Sequence, residues 1–113
     1  MPQNRKKLID LLIGNLSNSI VHEILEKAIE DESISARYNK ELMISLNLAK
    51  KYRERINPVS SPLPAKDIGH IKNKTRAKVR SELLLRISKG YKNINLELVE
   101  ELVNNAIKIL KIV

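Results

Sequence analysis

The chain has 113 residues, 42% hydrophobic and 30% charged, which excludes wholesale disorder and fits one domain, 1–113, able to bury a core without covalent staples. With no cysteine it excludes disulfides and thiolate metal sites, and its net charge of +8 points to a polyanionic or acidic partner. The start, MPQNRKKLIDLLIG, lacks the pattern of a secretory leader, and no apolar run approaches the roughly 20 residues of a membrane span, so a cytoplasmic protein without membrane contact is expected.

The first helix is predicted from about Gln3 to Ile13, with Leu8, Ile9, Leu11, Leu12 and Ile13 apolar. Gly14 and Asn15 tolerate the left-handed conformation of a helix end and suggest a break there. A second helix would then be capped by Ser17 or Ser19 and carry Leu16, Ile20, Ile24 and Ala28 at helical spacing. A single bent helix from Gln3 to Glu30 is the alternative reading.

Asp31 to Ser35 is turn-like, and Ser33 or Ser35 can cap a long helix running to about Ile56. Ile34, Tyr38, Leu42, Leu46, Ala49, Tyr52 and Ile56 mark its inner face. Met43, Ile44 and Leu48 widen that face, which predicts burial from more than one side. Residues 57–65, NPVSSPLPA, form a linker, because Pro58, Pro62 and Pro64 oppose helix. The expected fold is all-α, a four- to five-helix bundle built from two helical hairpins joined by this Pro-rich linker.

A basic helix follows, from near Lys66 to Lys89, with Gly90 as its C-terminal cap. Ile68, Ile71, Thr75, Val79, Leu83 and Ile87 face inward, thickened by Leu84. Its centre, KNKTRAKVR, holds five cations in nine residues and no acid. From Lys66 to Lys92 there are nine basic residues against Asp67 and Glu82, so almost all of the net charge lies here. Lys72, Arg76 and Arg80 repeat every four residues, with Lys74 and Lys78 expected as a second row beside them. Such like-charge pairs cost about 0.2–0.5 kcal/mol each in an isolated helix, a repulsion that a phosphate backbone reverses. A solvated lysine-rich surface is the competing explanation. The last helix, capped by Asn93 or Asn95, places Glu97, Glu100 and Glu101 early and Lys108 and Lys111 late, as the helix dipole favours. Its apolar side is wide enough that Leu102, Ala106, Ile109 and Ile112 are candidates for an oligomer or partner interface.

The expected function is a small non-catalytic nucleic-acid-binding or accessory subunit. Lys72, Lys74, Arg76, Lys78 and Arg80 would contact phosphates of duplex DNA or structured RNA, and Arg86 and Lys89 would extend the track. Tyr38 and Tyr52 lie on an apolar stripe, leaving Tyr91 as the one candidate for base stacking, so backbone contact is favoured over an aromatic platform. The acidic start of the last helix opposes a helix-turn-helix arrangement. Lys50, Lys51, Arg53 and Arg55 would join the patch if the linker turns the chain back. The rival class is a helical assembly protein that homo-oligomerises or docks a protein partner through its last helix. His22 and Glu26 can share a helix face, but two ligands are too few for a metal site. The three glycines are isolated from one another, so there is no phosphate loop, and Ser60 and Ser61 lack a nearby base. No enzyme, cofactor or metal is expected.

Overall fold

The computed structural model describes residues 4–29, 31–57, 61 and 63–112. Among them are four helices and no strand: α1 (Arg5–Ala28), α2 (Glu32–Ile56), α3 (Ala65–Ser88) and α4 (Leu98–Ile109). Pro58 and Pro62 of the expected linker lie outside the described residues, and Pro64 occupies the N-cap position of α3.

α1 is continuous, so the expected break at Gly14 and Asn15 does not occur. Asn15 donates its side-chain amide to the Leu11 carbonyl at 2.9 Å, a bond made within the helix. Apolar residues on both sides of this point are buried, and their packing outweighs the weak helix preference of Gly. Asn4 caps α1 by accepting from the Lys6 backbone N–H.

α1 is the hub, packing against α2, α3 and α4, while α3 also packs against α4. Leu12, Leu16, Ile20, Ile24 and Leu25 are at most 2% exposed. Each such side chain contributes about 1.5–3 kcal/mol by leaving water, and truncation of Leu16 to Ala would cost about 2–5 kcal/mol. By length and mean composition α1 is the one described helix that could cross a membrane, although Asn15, Ser17, Asn18 and Ser19 interrupt its apolar run. The most apolar part is 67% buried within the bundle, as in a core helix.

α1 and α3 run parallel. Arg5 and Asp67 pair near their N-termini, and Val21 and Arg86 line one groove further along. The Arg5 guanidinium holds the Asp67 carboxyl below its usual pKa range. α2 and α4 run the other way. The α2 N-cap is Asp31, two and four residues before the expected Ser33 and Ser35, because its carboxylate accepts from both Ser33 N and Ile34 N.

Three inward expectations fail, the first being Ile34, which opens the expected inner face of α2 and is 40% exposed. Met43, Ile44 and Leu48 are 51%, 53% and 37% exposed, because α2 packs on one side only. Leu84 and Ile87 also face solvent, at 50% and 39%, where the α3 stripe drifts away from its neighbours. Ile71, Thr75, Val79 and Leu83 are fully buried, as expected.

Helix ends follow backbone chemistry. Gly90, at φ 99°, closes α3, with Tyr91 N–H bonded to the Arg86 carbonyl and Gly90 N–H to that of Ile87. α4 stops at Ile109, short of the continuous helix expected through the tail. Lys111 turns left-handed at φ 56°, and Ile112 N–H reaches back to the Ile107 carbonyl. That turn drives the Ile112 side chain into the core, where it is fully buried.

Candidate nucleic-acid interface

The inward stripe of α3 fixes the direction of every cation on it. At about 100° per residue, the row Lys74–Lys78 lies about 200° from the row Lys72–Arg76–Arg80. The two rows are therefore on opposite flanks of the helix, and the expectation of adjacent rows is corrected. Between them, on the outer crest, His70, Asn73, Ala77 and Ser81 are all exposed.

The flanks differ in what they meet. On the α4 side, Arg76 Nη2 donates to Glu100 Oε1 at 3.0 Å, with Nε 2.6 Å from Oε2. Lys72 Nζ lies 3.9 Å from the same carboxylate. Both cations are half-buried and tie α3 to α4, so part of their charge is neutralised within the chain. Arg80, one turn on, is exposed. On the other flank Lys74 and Lys78 are exposed, and Lys78 borders a groove against α1. Among the described residues, no ion pair engages Lys74, Lys78, Arg80 or Lys89.

Arg86 is half-buried and donates from Nη1 to Glu82 at 3.0 Å. It also faces the end of α1 where His22 is packed. His22 Nδ1 is 3.2 Å from Glu41 of α2, and its ring meets Tyr38 edge-on at 5.5 Å between centroids. Burial pushes the imidazole pKa down; Glu41 opposes this, and the Arg86 charge adds to it. The Glu26 partnership suggested by sequence is replaced by Glu41, contributed by the next helix. No group of three or more metal-ligating side chains exists among the described residues. Tyr91 is 41% exposed beside Tyr38, whose hydroxyl pKa is raised by burial and by its hydrogen bond with Tyr91.

The four cations at the end of α2 divide. Lys50, Lys51 and Arg55 are exposed, whereas Arg53 is 1% exposed and cannot join a surface patch. Its guanidinium donates to the Lys111 carbonyl from Nη2 at 2.7 Å and from Nε at 3.2 Å. It also reaches Asn57 Oδ1 at 2.6 Å, the Asn57 carbonyl at 3.3 Å and the Ser61 carbonyl at 3.2 Å. Burial lowers its pKa, and the ring of carbonyl acceptors takes the place of a carboxylate. Lysine-rich surroundings hid this role in the sequence; the only local signal was Asn57, four residues on.

Of the apolar interface candidates, Leu102, Ala106 and Ile112 are buried in the chain's own core. Ile109 is 60% exposed. No family model matches the chain, and neither the curated proteins nor the solved structures contain a match.

Proposed function

We propose that this protein is a small, non-catalytic, cytoplasmic nucleic-acid-binding subunit that lays the outer face of α3 against a duplex. The arrangement of the two cation rows carries the reading. Between His70 and the exposed Leu84 the crest is formed by Asn73, Ala77 and Ser81, short enough there for close approach, and cations stand on both sides of it. A helix lying in a groove between two phosphate strands needs that cross-section. The major groove of B-DNA, about 12 Å wide, admits a helix, whereas that of A-form RNA is too narrow, so duplex DNA is the favoured partner. Lys74, Lys78 and Arg80 are the first contacts, Lys89 continues the Lys74–Lys78 flank, and Lys72, Arg76 and Arg86 contribute less because acids already engage them. The two-hairpin architecture, α1–α2 and α3–α4 joined across residues 57–64, belongs to the same proposal.

Four phosphate contacts give a log–log slope of binding against salt near −3.6 at about −0.9 per contact. A triple reversal of Lys74, Lys78 and Arg80 to Glu should abolish duplex binding at low salt. Equal affinity in the reversed protein would sink the proposal.

A second reading is self-assembly, and the exposed apolar face of α2 favours it. Met43, Ile44 and Leu48 share one side of that helix and are not covered within the chain. The assembly surface thereby moves from α4, whose apolar side is spent internally, to α2. Light scattering should then report a defined oligomer that Ile44→Glu dissociates; a monomer at high concentration excludes this reading.

A further inference from the structure

A groove of about 310 Å³ runs between α1 and α3, beside the Lys74–Lys78 flank. α1 contributes Gly14, Ser17 and Asn18, and α3 contributes Lys78, Ser81, Glu82 and Arg86. The chemistry is dominated by donors. Lys78 brings an ammonium, Ser17 and Ser81 bring hydroxyls, and the lone carboxylate, Glu82, is already held by Arg86.

Two of these donors are buried without a partner among the described residues. Ser17 is 5% exposed and its Oγ makes no hydrogen bond, and Arg86 Nε is in the same condition. A buried hydroxyl with no protein partner keeps its hydrogen-bonding capacity for a group that enters the groove. Asn18 is fixed by donating to Ser45 Oγ of α2 at 2.8 Å. Gly14 leaves the backbone bare beside these donors. A Cβ built there would meet nothing within 4 Å, so packing within the chain does not require glycine, although glycine weakens a helix interior. Bare backbone at that point lets an outside group come close.

We infer that this groove seats a phosphate group, bound by Lys78 and the Ser17 and Ser81 hydroxyls, with Arg86 Nε as a further donor. The inference rests on the duplex-binding reading for its source of phosphate, a backbone strand passing along the Lys74–Lys78 flank; a free phosphate ion or nucleotide has the same chemistry.

Amide shifts should be followed by NMR while the protein is titrated with inorganic phosphate and, separately, with a short DNA duplex. Ser17→Ala and Lys78→Gln serve as variants. Ser17→Ala removes a hydroxyl that holds nothing in the fold, so its melting temperature should equal or exceed that of the parent. Phosphate is expected to move the amides of Gly14–Asn18 and Lys78–Arg86, with affinity lowered roughly tenfold or more in each variant, as for loss of a hydrogen bond to a charged group. Phosphate that leaves these amides unmoved, or binds Ser17→Ala as well as the parent, overturns the seat. Duplex that moves the same amides and is weakened by Ser17→Ala identifies the source as a nucleic-acid backbone. Duplex that moves only His70, Asn73 and Ala77, indifferent to Ser17→Ala, overturns the seat and leaves the α3 reading standing. Phosphate seated in the groove without duplex binding supports the seat, assigns it a free phosphate, and removes the nucleic-acid reading.

Discussion

Arg53 offers the sharpest test of how this bundle is closed. Its guanidinium makes two short bonds, to Lys111 O at 2.7 Å and Asn57 Oδ1 at 2.6 Å, and three longer ones. Hydrogen bonds to a charged group contribute about 1.5–3 kcal/mol each, so the two short bonds alone set a gross loss of about 3–6 kcal/mol. Two corrections reduce it. The Lys111 and Ser61 residues are exposed and their carbonyls regain water, and the guanidinium no longer suffers the desolvation that depresses its pKa. Arg53→Ala should therefore lower stability by about 2–4 kcal/mol, or roughly 10–15 °C in melting temperature for a domain of this size. Arg53→Lys keeps the charge but not the planar fork, and should lose about 2 kcal/mol. The location of the loss can be checked by ending the chain after Leu110. In that background Arg53→Ala should cost about 1–2 kcal/mol less, the coupling that a double-mutant cycle isolates. Urea and thermal unfolding followed by circular dichroism supply all four stabilities. A fully stable Arg53→Lys, or strict additivity with the truncation, would refute the idea that Arg53 fastens the C-terminal turn.

Gly14→Ala should raise stability by about 0.5–1 kcal/mol, since the new methyl meets nothing within 4 Å and the helix interior gains a better former; a drop in melting temperature would contradict that geometry. The His22 pKa is depressed in the fold, so the unfolded chain takes up its proton first as pH falls. Its stabilising effect is full above the ordinary value of 6.5 and is lost as pH descends from there toward the folded value, and His22→Gln should flatten the melting temperature across that window. Glu100→Gln releases Lys72 and Arg76 from their shared carboxylate, and with up to two added contacts the salt slope for duplex binding should steepen toward about −5.4. An unchanged slope would show that those two cations face away from the ligand.

Helical periodicity made the all-helical fold and the ends of α2 and α3 readable, because long stripes such as Ile71, Thr75, Val79 and Leu83 have few other uses. Gly90 was readable as a cap for a similar reason: its positive φ is open to few residues. Gly14 misled because a glycine's local preference is worth about 1 kcal/mol, less than the burial of the leucines around it. Met43 and Ile44 misled because periodicity reports which residues could be covered, and cannot report how many helices come to cover them. The basic character of α3 was plain, but its division into two flanks depends on counting angles from the buried stripe. Arg53 was hidden because, apart from the Asn57 side chain four residues on, its partners are backbone carbonyls that carry no side-chain signature, that of Lys111 being remote in sequence.

The central position of α1 also bears on how the chain is made. Within this chain α1 is synthesised before its partners, and its apolar surface is covered on one side by α2 and on others only by α3 and α4. At about 5–20 residues per second, several seconds separate its synthesis from that of its last partner. During that interval a 24-residue helix whose core-facing leucines and isoleucines are not yet covered is presented to the cell. The nascent chain is thus a client for chaperones before it is a bundle. Fragments ending before α3 should be captured or aggregate more readily than the full 113-residue chain.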